Sequence, residues 1–155
     1  MKGSVEGAEK DNQLPGINIS FPWGIPGLQD NEYTFSFLSD DAPFFFLQSV
    51  RQPEVGLLLI DPFLAFKDYE FDLLDDVAGQ LKITDEKQVS VFCAVNTSRG
   101  IDFATVNLLA PIVINTEHFL GKQVVLNDKK YSLRAPLVIS RAVKEEGSQD
   151  AGAGA

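Results

Sequence analysis

Two side chains in this sequence are reactive enough to suggest covalent or metal chemistry. They are Cys93 in "VSVFCAV" and His118 in "NTEHF", each the sole residue of its type. One thiol and one imidazole in separate segments do not make a zinc site. Val89, Val91, Cys93 and Val95 alternate onto one strand face, which predicts a small buried core residue at 93 rather than a nucleophile. His118 follows Glu117 in a predicted loop and reads as a surface residue. The chain has no glycine loop that cradles phosphate and no Gly-x-Ser-x-Gly elbow. Acid pairs such as Asp40 with Asp41, or Asp75 with Asp76, are adjacent, whereas two-carboxylate catalysis needs them opposed around a substrate. The residues therefore predict a non-enzyme with no metal and no cofactor.

Recognition is the chemistry that remains. The stretch "LLLIDPFLAFKDYEF" (57–71) starts as a strand apolar on both faces and breaks at Asp61-Pro62. It continues as an aromatic run flanked by acids. It reads either as a loop capping the core or as an apolar surface rimmed by acids, suited to a basic amphipathic peptide. From Asp61 to Glu86 eight acids stand against two lysines, a balance of −6 within a net charge of −9. That density reads either as a solvated face or as a docking surface for a basic partner. The candidate contact residues are Phe63, Phe66, Asp68, Tyr69 and Glu70, with Asp72, Asp75 and Asp76 on the acidic helix that follows.

The elements that must position these residues are mostly strands. Strand signals fall at 17–21, 33–38, 44–50, 55–60, 88–97, 103–110, 111–116, 122–126 and 131–139, separated by turn chemistry. The rhythm predicts a mainly β chain, an antiparallel small barrel or sandwich-like domain with one short helix. That helix is "LLDDVAGQLK", with Asp72 as its cap, Leu73, Leu74, Val77 and Leu81 on one face, and Asp75 and Asp76 near its positive end. In "FPWGIPGL", Pro22 and Pro26 set the first corners of two turns, and Gly24 and Gly27 supply positive φ at the second corners. Asn127 and Asp128 mark a further turn. Pro111 divides the most apolar run, "NLLAPIVINT", because it cannot donate to a ladder, so one strand ends or bulges there and another begins.

A chain of 155 residues, 45% hydrophobic and 23% charged, has ordinary globular composition. Residues 1–13 and 142–155 are polar or small and read as disordered ends, leaving one domain at 14–141. No apolar run approaches the ~20 residues that span a bilayer, and the N-terminus lacks the apolar core of a signal peptide. With a single cysteine, these features predict a cytoplasmic protein that does not engage a membrane. A pI near 4.5 gives a field that repels nucleic acid and favours basic partners.

The blocks "ISFPWGIPGLQ", "FFFLQSVRQPEVGLLLIDPFLAFKDYEFDL" and "ATVNLLAPIVINTEHFLGKQVVLNDKKYSLRAPL" resemble the signature blocks of FliW, the flagellar assembly factor family. The resemblance covers about residues 17–137, and the order of its motifs is highly specific. It implies a regulatory binding protein that takes two alternative partners, flagellin and the basic translational repressor CsrA. Freed from flagellin, such a protein captures CsrA away from its RNA-contact surface and relieves repression of flagellin synthesis without itself binding RNA. An alternative is the same framework used as a β-barrel binding module for another protein or a small ligand. Two features depart from the family pattern. Where relatives begin with a strand rich in branched residues, "KGSVEGAEKDNQLPG" is polar. Trp23 stands at a turn position that is commonly acidic, and reads either as a partner contact or as a ring folded back over the core.

Overall fold

The computed structural model describes residues 16–37, 43–128 and 130–138. The strands in chain order are β1 (Ile17–Ser20), β2 (Glu32–Phe37), β3 (Phe44–Ser49), β4 (Gly56–Ile60), β5 (Val89–Asn96), β6 (Thr105–Val106), β7 (Ile112–Asn115), β8 (Leu120–Gln123) and β9 (Ala135–Pro136). Seven of them form a ring, in the order β4-β3-β2-β1-β8-β7-β5 and back to β4, while β6 and β9 extend from β5. Alternating strand directions can close a ring only when the strand number is even. A seven-strand ring therefore needs a parallel joint, and it has one at β1–β8, where Ser20 faces Leu120. The expected small antiparallel barrel is thus the observed architecture.

Alternation along the strands sorts the apolar residues into an inside and an outside. Ile19, Tyr33, Phe35, Phe45, Leu47, Leu59, Phe92, Ile112 and Ile114 make one cluster, which fills the barrel. Its aromatic centre is tight, with Phe92 4.9 Å from both Phe35 and Phe45 between ring centroids. The intervening residues face outward and are covered rather than solvated. Ile60, Cys93, Val95 and Val106 pack with Tyr69, Leu108 and Leu137. Val113, with the half-buried Val89 and Val91, packs under Val77 and Leu81. The shared face expected for Val89, Val91, Cys93 and Val95 is therefore real, but it is the outer face of the barrel. The buried and half-buried phenylalanines are divided for the same reason, with Phe21, Phe35, Phe45 and Phe92 inside and Phe44, Phe66 and Phe71 outside, while Phe63, Phe103 and Phe119 stay exposed.

Several local expectations are corrected. The described residues hold two short α-helices rather than one, α1 (Pro62–Ala65) and α2 (Asp75–Gln80). Asp72 does not cap α2: Leu74 occupies the N-cap position with φ −71° and ψ 151° and no side-chain cap. Burial alternates along 71–74, so that Leu74, itself extended, points outward at 59% exposure while Leu73 packs inward. Asp75 and Asp76 do lie in the first turn, as expected. The anticipated strand at 103–110 shrinks to β6 because Asn107 captures the backbone, its Oδ1 accepting the N–H groups of Leu109 and Ala110 at 3.1 and 3.0 Å. Pro111 then precedes β7, where its carbonyl accepts the N–H of Val124 at 2.9 Å and its missing donor goes unneeded. The strand expected at 131–139 contracts to β9. In the first turn Trp23, not Gly24, holds the second corner, since Gly24 N–H closes onto Phe21 C=O at 2.8 Å. The expectations for residues 1–13 and 142–155 lie outside the described residues.

The β1–β8 joint depends on a glycine. A Cβ at Gly121 would sit 2.5 Å from the Phe21 ring, which is fully buried and has nowhere to move. Overpacking of this kind costs about 1–3 kcal/mol. Gly121→Ala should lower the urea midpoint accordingly, and an unchanged midpoint would show that the seam is not close-packed.

Candidate functional site

The acid and aromatic segment begins where β4 is made to leave the sheet. Ile60 still pairs with Cys93, but Pro62 has no N–H and the chain turns outward. Asp61 caps the turn, its Oδ1 accepting the N–H of Phe63 at 3.0 Å, and the N–H of Phe66 closes onto Pro62 C=O at 2.8 Å. Four residues of helix suffice to present Phe63 and Leu64 to solvent, at 45% and 48% exposure.

Tyr69 behaves differently from its neighbours. It was a candidate contact, yet it is only 4% exposed. Its hydroxyl donates to Leu108 C=O at 2.8 Å, and Cys93 Sγ lies 3.9 Å from that oxygen. As a direct partner contact Tyr69 is withdrawn, because the hydroxyl would lose its carbonyl on turning outward. It supports the surface instead: its ring lies 5.6 Å from Phe63, 6.0 Å from Phe71 and 4.7 Å from Tyr131, centroid to centroid. Tyr131 completes the support. Its hydroxyl accepts the N–H of Glu70 at 3.0 Å and donates to Glu70 C=O at 2.9 Å, fixing the backbone of an exposed acidic residue. Nothing in the sequence pairs 131 with 70, since only the fold brings them together.

The acids do not converge on one hollow. Asp68 shares a recess with Phe66, Lys67, Lys130 and Tyr131. Glu70 and Asp72 share another with Leu74, Val125 and Asp128. Asp75 and Asp76 project from α2 and line neither. Trp23 is 47% exposed at its turn, so the ring is not folded over the core. Lys122 Nζ lies 4.9 Å from the Trp23 ring centroid and 2.6 Å from Gln80 Oε1, which ties Trp23 to the last residue of α2. Among the described residues no group of three or more His, Cys, Asp or Glu side chains could hold a metal ion.

A third hollow was not anticipated from the sequence. Between α1 and the segments that flank α2, over the outer face of β5, lies an apolar groove of 490 Å³. Val89 and Val91 form its floor, Phe63, Phe71, Leu73 and Ile83 its walls, and Asp85 and Glu86 part of its rim. Of the candidate contact residues only Phe63 reaches it. The rim is held by Gln88, whose Oε1 accepts the N–H groups of Thr84 at 2.7 Å and Asp85 at 3.1 Å, while its Nε2 donates to Glu117 at 2.8 Å. The signal that could have found it is the outward alternation of Val89 and Val91 beside a helix too short to cover them.

The model of the family described as FliW protein matches residues 2–138. The flagellar assembly factor FliW of Geobacillus thermodenitrificans is 38% identical over 142 residues, covering 92% of this chain and 94% of that protein. The flagellar assembly factor FliW of Desulfitobacterium hafniense strain Y51 is 43% identical over 121 residues, with 77% and 79% covered. A crystal structure of the flagellar assembly factor FliW superposes with a TM-score of 0.72 at 40% identity, covering 78% of this chain and 85% of that one.

The buried support carries a pH signature. Burial pushes the Cys93 thiol up to about 12, with Asp61 adding in the same direction and the Tyr69 hydroxyl opposing it. Burial, reinforced by Cys93, likewise raises the Tyr69 phenol. Both groups stay protonated in the fold, so the unfolded chain loses their protons first as pH rises. Their contribution is complete below the ordinary thiol range, roughly pH 8.5, and declines above it. Equilibrium unfolding from pH 8 to 10.5 should show stability falling, with a shallower fall in Cys93→Ala; equal slopes would mean that the thiol titrates as if exposed.

Proposed function

The chain belongs to the FliW family, and from that premise we propose that it is a cytoplasmic flagellar assembly regulator acting by binding rather than catalysis. Its partners in this reading are flagellin and, alternatively, the translational repressor CsrA. Capture of CsrA relieves repression of flagellin synthesis while this protein stays off RNA. The observation that carries the reading is the surface from Phe63 to Asp76. There, exposed apolar side chains and five acids stand on a backbone held from beneath by Tyr69 and Tyr131.

The physical argument runs from charge to mechanism. A basic partner approaching this face gains association rate from complementary potential, and the same field disfavours the phosphate backbone of a messenger. Phe63 and Leu64 supply apolar area that exposed ion pairs alone do not, since such pairs contribute only about 0–1 kcal/mol each. The contact set proposed for partners is Trp23, Phe63, Phe66, Asp68, Glu70, Asp72, Asp75 and Asp76, with Tyr69 holding the surface from below.

Purified protein titrated with CsrA and with flagellin, singly and in competition, tests the reading. Each partner should bind alone and displace the other. Asp68→Lys combined with Glu70→Lys should weaken CsrA by about tenfold at low salt and by less at high salt. Failure of wild-type protein to bind either partner sinks the proposal.

A further inference from the structure

The apolar groove beside α1 is open to solvent and edged by acids. We infer that this groove receives a large apolar side chain from a basic segment of the partner and is the anchor point of the complex. The inference rests on the binding role proposed above and names where the basic partner engages.

Four observations support it. The groove, at 490 Å³, falls within the ~300–1,000 Å³ typical of sites that enclose a small ligand, so it admits one or two large side chains. Its walls are carbon: Phe71, Leu73 and Ile83 are half-buried and Phe63 half-exposed, an arrangement in which contact with a partner still removes apolar surface from water. Its charge is of one sign. Asp85 and Glu86 stand exposed at the rim, with Asp61 the other charged residue of the lining, and the neighbouring recess carries Glu70, Asp72 and Asp128 against one cation, Lys130. A segment that carries cations around an apolar residue is therefore matched in both respects, whereas an acidic or neutral segment is matched in one.

The rim is also preorganised. Gln88 accepts from two rim N–H groups, and Asp85 accepts the N–H of Lys87 at 3.0 Å, so loop 84–88 is already ordered before a partner arrives. Binding to an ordered rim avoids the entropy of fixing it, which is how a small anchor comes to dominate an interface.

Blocking the groove tests this directly. Thr84→Cys places a thiol at the exposed rim, and a bulky maleimide will label it selectively because the native Cys93 is fully buried. The probe is purified CsrA, titrated against wild type, Thr84→Cys before and after labelling, and labelled Glu54→Cys. The last carries its adduct in the turn before β4, at the far end of that strand from Asp61. Labelling should lower the affinity of the Thr84→Cys variant at least about tenfold relative to the same variant unlabelled, as expected when a central anchor is excluded, with the Glu54 adduct staying within about twofold of wild type. Glu86→Lys should weaken binding by a smaller factor that shrinks with salt. Wild-type affinity in the labelled Thr84 variant overturns the groove as anchor, and loss of flagellin binding alone, with CsrA unaffected, overturns its assignment to a basic segment. If wild type itself fails to bind CsrA, the broader functional reading has failed instead.

Discussion

The structure of this surface depends on where β4 stops. Pro62 cannot continue a ladder, and Asp61 turns the chain with a side-chain hydrogen bond instead. β4 therefore meets only the second half of β5, with Leu58 to Ile60 against Val95 to Cys93. Everything that follows must cross the outside of the barrel. Tyr69 lands over Cys93 and seals the outer cluster, whereas Val89 and Val91, further back along β5, are left to a six-residue helix. A helix of that length spans about 9 Å and cannot roof them completely. The groove is thus a geometric consequence of ending a strand early on one side of a longer one.

Holding so short a helix in place requires polar anchors, because isolated helices of this length do not form in water. α2 ends in a tight hydrogen-bonded turn, with Ile83 N–H reaching Ala78 C=O at 2.9 Å and Lys82 N–H reaching Gly79 C=O at 3.1 Å. Lys82 takes the left-handed conformation, φ 59°, that glycine usually fills at this position. What compensates is Asn115. Fully buried at the end of β7, it donates to Leu81 C=O at 2.8 Å and Lys82 C=O at 3.1 Å while accepting from Glu117 and His118 N–H. One side chain thereby satisfies the carbonyls of the two residues that end the helix's closing turn and the turn that leads into β8. Lys122 adds a second tie, from β8 to Gln80.

Much of the barrel was legible in the sequence, because period-two alternation and turn residues are local signals. The strands from 17 to 60 and the long strand near 89–96 follow directly from them. The signals misled where a polar side chain overrode propensity. Asn107 ended a strand that composition favoured, and the absence of a side-chain cap moved the start of α2 past Asp72. The proposed contact surface was half legible. Proximity in sequence grouped Phe63, Asp68 and Glu70, but it could not say that Tyr69 faces inward, nor that Tyr131 clamps Glu70 from sixty-one positions away. The groove draws its lining from α1, from the residues on either side of α2 and from β5, a relation that exists only after folding. Membership of the family was legible from motif order, and those motifs lie largely in buried or turn positions that define the scaffold rather than the contacts.

That division bears on how one small protein could serve two partners. The backbone beneath the acidic face is pinned by Tyr69, Tyr131, Gln88 and Asn115, so the surface has little freedom to adopt a second shape for a second ligand. Rigid surfaces exclude competitors by overlap, without needing a conformational switch to transmit occupancy. Such overlap makes the affinities and concentrations of the two partners the sole determinants of which is bound. Steering by the acidic field then acts unequally: it speeds the basic partner's arrival and leaves a less basic one dependent on apolar contact. In the function proposed above, an apolar contact and a charged one would compete for the same ordered residues, and the outcome would follow the supply of each partner.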